Sequence, residues 1–433
     1  MARKMKDSGI EWIGEIPTDF SLYKLKYLLS SPLCYGANES GTLYSDILPR
    51  YIRITDISPN GTLKNSGMLS LDESSAQNYM LHEGDILFAR SGATVGKSFI
   101  YHNYYGRAAY AGYLIKASFN RLVLPEFVYY YTCSSAYEIW KNSIFIQSTI
   151  QNIGADRYSN LPISVPNSID KQLSIVRYLN NFCSKFDAII YNLQTSIEDY
   201  KKLKQAIITQ AVTKGVRGER EMKDSGVEWI GEIPEEWNKC KLKNISIDIG
   251  DGLHGTPKFD DSGEVYFING NNFSGEYVEP KFDTKKLCLE ESLNYPKPEL
   301  TEQTIMISLN GSYGKVCLYR YFPMLLGKSA GYITLLPSIN RRYVRYYLSS
   351  TPAQIIMTLS LNGTTIPNLS LNTLYNFSTI LPPASEQAEI ADYLDAKCAE
   401  INKLIAKKEQ LVKELESYKK SLIYEVVTGK REV

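Results

Sequence analysis

MKDSGIEWIGEIP at residues 5–17 returns as MKDSGVEWIGEIP at 222–234, identical at twelve of thirteen positions and 217 residues further on. A repeat this long decides the architecture before any single motif is weighed. The copies stay in step. Lys24-Leu25-Lys26 matches Lys241-Leu242-Lys243 at an offset of 217, and 148–153 matches 364–369 at 216. Tyr178-Leu179 and Ala206-Ile207-Ile208 match Tyr393-Leu394 and Ser421-Leu422-Ile423 at 215. An offset that drifts by two residues over a whole copy marks a tandem duplication of about half the chain.

Composition agrees with two self-sufficient halves. A chain of 433 residues with 44% hydrophobic and 22% charged residues has the make-up of a soluble globular protein of several domains. It has no apolar run long enough to span a membrane and no apolar segment behind MARKMKDSG, so a cytoplasmic location is expected. Seven cysteines without a C-x-x-C pair and three histidines give no zinc spacing, and the thiols are expected to be reduced. A net charge of +1 argues against a generally basic coating of nucleic acid and leaves local patches open. Tyrosine is abundant, 33 residues, a type suited both to binding surfaces and to sheet cores.

Periodicity changes once within each half. Short β-branched and aromatic runs such as Tyr51-Ile52-Arg53-Ile54, broken by Gly, Asn and Pro, predict a mixed α/β domain up to residue 166. Between Pro166 and Gly215 the chain has neither proline nor glycine. Apolar residues recur at spacings of three and four: Ile175, Leu179, Phe182, Phe186, Ile189, Leu193, Ile197, Tyr200, Leu203, Ile207 and Ala211. Such a helix of about 45 residues would be roughly 65 Å long. Past Pro382-Pro383 the pattern returns as Ile390, Leu394, Ile401, Leu404, Leu411, Leu415, Tyr418 and Leu422, with Lys397 and Lys408 as polar exceptions. Ser385 with Glu389 reads as a capped start. The expected fold is α+β: two mixed α/β domains in tandem, each followed by a long helix, the two helices packed as an antiparallel coiled coil with the globular domains at opposite ends. The expected boundaries are 1–166, 167–214, 215–383 and 384–433.

This ordered set resembles the specificity subunit of type I restriction-modification enzymes. The features are Glu-Trp-Ile-Gly-Glu-Ile-Pro at the head of each globular domain, then a Pro-containing segment, Gln-x-x-Ile and Tyr-Leu opening each helix (172–179 and 387–394). The resemblance implies a non-catalytic, sequence-specific reader of double-stranded DNA. Its two target recognition domains would each read half of a split, asymmetric site, and its helices would set the gap and recruit two methyltransferase subunits. S-adenosylmethionine, ATP and Mg would be used by the methyltransferase and restriction subunits, with no cofactor in this chain. The competing class is a coiled-coil scaffold whose globular ends bind other proteins; it predicts no salt-dependent affinity for DNA.

Candidate contacts follow from residue type. Each domain carries a strand running into a glycine turn that ends in Gly-Lys, Arg90–Lys97 and Asn310–Lys315 by position. The spacing fails the P-loop, because Ser91 stands where glycine is required and Ser98-Phe99-Ile100 reads as strand. A turn that brings backbone and cations close to a polyanion makes Arg90, Ser91, Thr94 and Lys97 candidates, with Asn310, Ser312, Tyr313 and Lys315 in the second copy. Arg107, Tyr110, Gln147, Gln151, Asn152 and Arg157 join them in the first domain. His254, Thr256, Lys258, Asn271, Lys328, Thr364 and Thr365 join them in the second, and Arg341, Arg342 and Arg345 form a possible backbone-contacting patch. No catalytic constellation emerges: His82, His102 and His254 lack a G-x-S-x-G elbow, and no Asn/Asp-Pro-Pro-aromatic motif serves adenine methylation.

Overall fold

The computed structural model describes residues 3–58, 61–146, 151–361 and 367–433. The chain divides into two compact units, Met1–Gln194 with Gln410–Val433, and Thr195–Glu409. No helix among the described residues is long and apolar enough to cross a membrane.

The repeated thirteen residues form the same hairpin in each unit. Asp7 and Asp224 accept the N–H of the glycine two residues on at 2.9 Å, an Asx turn that accounts for Asp-Ser-Gly in both copies. Gly14 and Gly231 take φ of +65° and +68°, a region open to glycine at no steric cost, and lead into the antiparallel pairs Met5–Asp7 with Glu15–Pro17 and Met222–Asp224 with Glu232–Pro234. Ile13, Ile16, Ile230 and Ile233 anchor these hairpins, all buried; Trp12 is half-buried against the first core, whereas Trp229 is 47% exposed.

Each hairpin sits on the end of a long helix. In the first unit Ile13 and Ile16 share a core with Leu422, Ile423, Val426 and Val427, and the Tyr424 hydroxyl donates to the Ile13 carbonyl at 3.1 Å. The second unit places Ile230 and Ile233 against Ile208, Ala211 and Val212. The first hairpin is thus completed by the end of the second helix, and the second hairpin by the end of the first.

Both units carry an antiparallel four-stranded sheet in matching order. The first runs Cys34–Tyr35, Leu114–Ala117, Ile86–Ala89, Ser98–Ile100; the second runs Ser246–Asp251, Ala330–Leu335, Thr304–Ser308, Val316–Leu318. A second sheet contains one parallel pair in each unit, Arg50–Ile52 with Ala108–Tyr110 and Val265–Ile268 with Met324–Leu326. Much of the tyrosine is spent inside, where Tyr51, Tyr110, Tyr131, Tyr137, Tyr158, Tyr343 and Tyr347 are fully buried.

The long helices run Ile169–Lys214 and Ala384–Val427. They pack antiparallel in each unit. Lys419 meets Asp187 at 2.6 Å in the first, and in the second Lys204 donates to Asn402 at 2.8 Å while Lys408 lies over the Tyr200 ring. Ile175, Leu179, Ile197, Ile390, Leu394, Ile401 and Leu422 are buried in this seam; Phe182, Phe186, Leu193, Ile207 and Leu415 are half-buried. Leu404 and Leu411 were also assigned to the seam, as were Ile189 and Leu203; they are 37%, 42%, 45% and 48% exposed. Tyr418 is 51% exposed but keeps to the seam, its ring 5.7 Å from Phe186 and 6.3 Å from Phe182 on the facing helix. The seam of the second helix runs instead through Ile401, Ile405, Lys408, Val412, Leu415, Lys419 and Leu422, an unbroken alternation of four and three. Lys408, expected as a polar exception, belongs to it, half-buried with its ammonium over the Tyr200 ring. Ser385 is not a cap: the helix begins at Ala384, and Glu389 pairs with Arg217 at 2.7 Å.

Candidate nucleic-acid interface

The glycine turn is built alike in both units. In the first, the Tyr137 hydroxyl donates to the Gly96 carbonyl at 2.6 Å; in the second, Gln354 Nε2 donates to the Gly314 carbonyl at 2.9 Å. Gly96 and Gly314 have φ of +81° and +73°. A strand follows each Gly-Lys pair, Ser98–Ile100 and Val316–Leu318, so no helix N-terminus is there to cradle a phosphate.

A second segment docks on the turn through identical backbone bonds. Ile153 N–H donates to the Arg90 carbonyl at 2.8 Å, and Leu369 N–H to the Leu309 carbonyl at 2.9 Å. Ser91 bridges to Asn152, and Asn310 to Asn368. Arg90, Ser91, Gln151 and Asn152 therefore come together, joined by Tyr35, whose ring lies 4.9 Å beneath the Arg90 guanidinium. Arg157 is exposed on the short helix Ala155–Ser159 that follows, and Thr94 and Lys97 are half-buried in the turn.

Other first-domain candidates lie elsewhere. Arg107 is exposed but held by Glu73. Tyr110 cannot act as a surface contact: it is fully buried, edge-on to Tyr79, and donates to the Cys34 carbonyl at 3.3 Å. Burial pushes its phenol well above the usual range. Gln147 lies outside the described residues, as do Thr364 and Thr365.

In the second unit Thr256, Asn271 and Lys315 line one cleft of about 520 Å³, together with Lys281 and Lys285. Asn310, Ser312 and Tyr313 lie on the neighbouring glycine turn, where the Ser312 carbonyl accepts from Ser308 and the Tyr313 hydroxyl is 3.3 Å from Thr358 Oγ1. Lys328 is exposed. His254 faces Asp251 at 2.8 Å, and Lys258 is exposed with its N–H bonded to Glu291. That N–H, then the Tyr295 hydroxyl, hold the Glu291 carboxyl below its usual range. In the arginine patch only Arg342 among the described residues is held by carboxylates, and Arg341 donates to the Tyr319 carbonyl at 3.5 Å. Arg342 pairs with Asp395 at 2.6 Å and Asp392 at 2.8 Å, and Arg345 lies over Tyr346.

Sequence reading passed over Tyr35, Lys281, Phe282 and Lys285. The run Lys281-Phe282-Asp283-Thr284-Lys285-Lys286 was the available signal, an aromatic residue among three cations. No group of three or more His, Cys, Asp or Glu residues among the described residues is placed to hold a metal.

The family described as type I restriction modification DNA specificity domain matches twice, over residues 44–199 and 234–414. The chain is 25% identical over 360 residues to the type I restriction enzyme MjaVIII specificity subunit of Methanocaldococcus jannaschii, covering 81% of this chain and 80% of that one. The provisionally named MjaX specificity subunit of the same organism is 26% identical, with 96% and 95% covered. A chain from a study of complex assembly and conformational transition of the type I R-M system superposes with a TM-score of 0.70 at 15% identity, covering 96% and 99% of the two chains. This chain belongs to the type I restriction-modification DNA specificity family, as a non-catalytic specificity subunit with two copies of the recognition domain.

Proposed function

We propose that the chain reads a bipartite, asymmetric target in double-stranded DNA, one half-site through each recognition domain. It recruits two methyltransferase subunits, and restriction subunits for cleavage, in the cytoplasm. The partners supply the chemistry with S-adenosylmethionine, ATP and Mg; this chain supplies the address. One observation carries the reading: equivalent backbone platforms hold different side chains. Arg90 and Ser91 occupy in the first domain the places of Leu309 and Asn310 in the second, under the same backbone bonds. Two copies of one scaffold with divergent polar groups suit a duplex whose two half-sites differ in bases and share a backbone.

The test is selection from randomised duplex DNA at fixed salt, with the chain alone and with its methyltransferase partner. Two short, different motifs at constant spacing are expected, with affinity falling steeply as salt rises. Folded complex that enriches nothing and shows no salt slope would favour a protein-binding scaffold.

A further inference from the structure

The cleft of the second domain combines features that no turn or core requirement explains. Its mouth carries Lys281, Lys285 and Lys315 against the single carboxylate of Asp283, and Phe259 and Phe267 meet edge-on at 5.4 Å along its wall. Four polar groups that line it, the Asn271 amide, the Thr256 hydroxyl and the Lys281 and Lys315 ammoniums, have no partner among the described residues. Two neighbouring asparagines contrast with this. Asn272 is buried, accepts the Asn269 N–H at 3.0 Å and donates to Thr284 Oγ1 at 2.7 Å, and Asn269 accepts from Ser329 at 3.1 Å. Asn272 thus makes the turn, and Asn271 is left to face outward.

Beside the cleft, Phe282 is fully exposed at the tip of a braced loop. The Thr284 hydroxyl accepts the Lys281 N–H at 2.7 Å, and Thr284 N–H donates to the Lys281 carbonyl at 3.1 Å. A phenyl ring held rigidly in water forgoes its burial until another surface covers it. Lysines on both sides of that ring specify a polyanionic partner.

We infer that this cleft reads base edges of one half-site, with Asn271 as the hydrogen-bonding reader and Phe282 as the apolar contact beside it; the inference rests on the DNA-reading function proposed above. An asparagine amide matches the N6 and N7 edge of adenine, a phenyl ring packs on a thymine methyl group, and the lysines take phosphates. The equivalent turn of the first domain shows the same scaffold with different chemistry. There Asp56 takes the place of Asn272 and accepts the Arg53 N–H at 2.8 Å, while the Arg53 guanidinium is locked to the same carboxylate. A reader with another base preference would differ at this place.

The experiment selects randomised duplex DNA with the full chain in complex with its methyltransferase partner, as wild type, Asn271→Ala, Phe282→Ala and the control Leu293→Ala, which removes an exposed apolar residue outside the cleft. Thermal melts verify folding. Asn271→Ala is expected to weaken binding to the wild-type target about 10- to 100-fold and to relax one or two positions of a single half-site, leaving the other half-site and the gap unchanged. Phe282→Ala should relax the same half-site, and Leu293→Ala should change nothing. A wild-type bipartite motif retained with full affinity by both cleft variants overturns the cleft assignment and leaves DNA reading intact. A folded wild-type complex that selects no motif overturns DNA reading itself.

Discussion

The two units join domain to helix with opposite electrostatics. In the first, Arg3 and Lys171 flank Asp19 at 3.0 and 2.7 Å in partial solvent, with both cations over the Phe20 ring. In the second, Glu386 at the first turn of the helix is fully buried, accepts from Arg220 at 2.6 Å and from the indole N–H of Trp237 at 3.0 Å. Arg3 and Arg220 are repeat-related, as are Phe20 and Trp237 and Asp19 and Glu236; Glu236 still pairs with Arg220 at 2.8 Å, and the helix carries a second carboxylate, Glu386, where the first unit has the cation Lys171. Near-identical hairpins therefore do not imply equivalent energetics; residues just outside the repeat decide how each joint depends on water.

The largest expected effect tests that contrast. Glu386→Ala leaves the indole N–H of fully buried Trp237 without its acceptor and removes one of the two carboxylates on Arg220, and should cost about 3 kcal/mol in the second unit. Lys171→Ala in the first should cost no more than about 1 kcal/mol, because its ion pair is partly hydrated. The tryptophans divide evenly, Trp12 and Trp140 in one unit and Trp229 and Trp237 in the other. Urea unfolding followed by fluorescence, with one unit's tryptophans replaced by phenylalanine, resolves the two costs; equal values would remove the contrast.

A smaller effect sharpens the helix register common to both units. Ile401→Ala should lose about 2 kcal/mol, whereas Leu404→Ala should stay within about 0.5 kcal/mol, since only the former is buried. The same difference is expected between Ile190 and Ile189, which are repeat-related to Ile405 and Leu404. A large loss for Leu404→Ala would restore the seam expected from apolarity alone.

The smallest effect concerns acid. Burial alone would raise the Asp19 carboxyl, but hydrogen bonds from Lys171 and Arg3 outweigh it and hold the group below its ordinary 3.8. A pKa depressed in the folded state contributes stability that is fully present above the unfolded value and lost as pH falls through the folded one. The first unit's stability should therefore decline below pH 3.8, and Asp19→Asn should flatten that decline. Unfolding midpoints from neutral to acid pH check it, and an unchanged acid limb would show that the pair contributes nothing.

Duplication, the switch from broken strands to long helices and the failure of the P-loop were legible in the chain, because each depends on local spacing. Tyr110 was misplaced because an aromatic residue carries no mark of which way its element faces. The seam erred by one residue at Leu404 and Leu411 because the neighbours that face inward, Ile405 and Val412, are apolar as well, and the geometry of the facing helix, not side-chain polarity, chooses between them. The cleft was half legible. Thr256, Asn271 and Lys315 were singled out for their chemistry, but their convergence, and the roles of Lys281 and Phe282, depend on loops far apart in sequence.

By itself, then, the sequence determined two copies of one plan, the class of each element and the family to which the order of motifs points, since periodicity and repetition are properties of neighbours along the chain. Only tertiary structure decided that each hairpin is completed by the end of the other half's helix, that one joint is buried and the other hydrated, and which of several exposed polar residues share a cleft. Those outcomes are set by packing between segments hundreds of residues apart, where burial, not residue type, determines what a side chain can do.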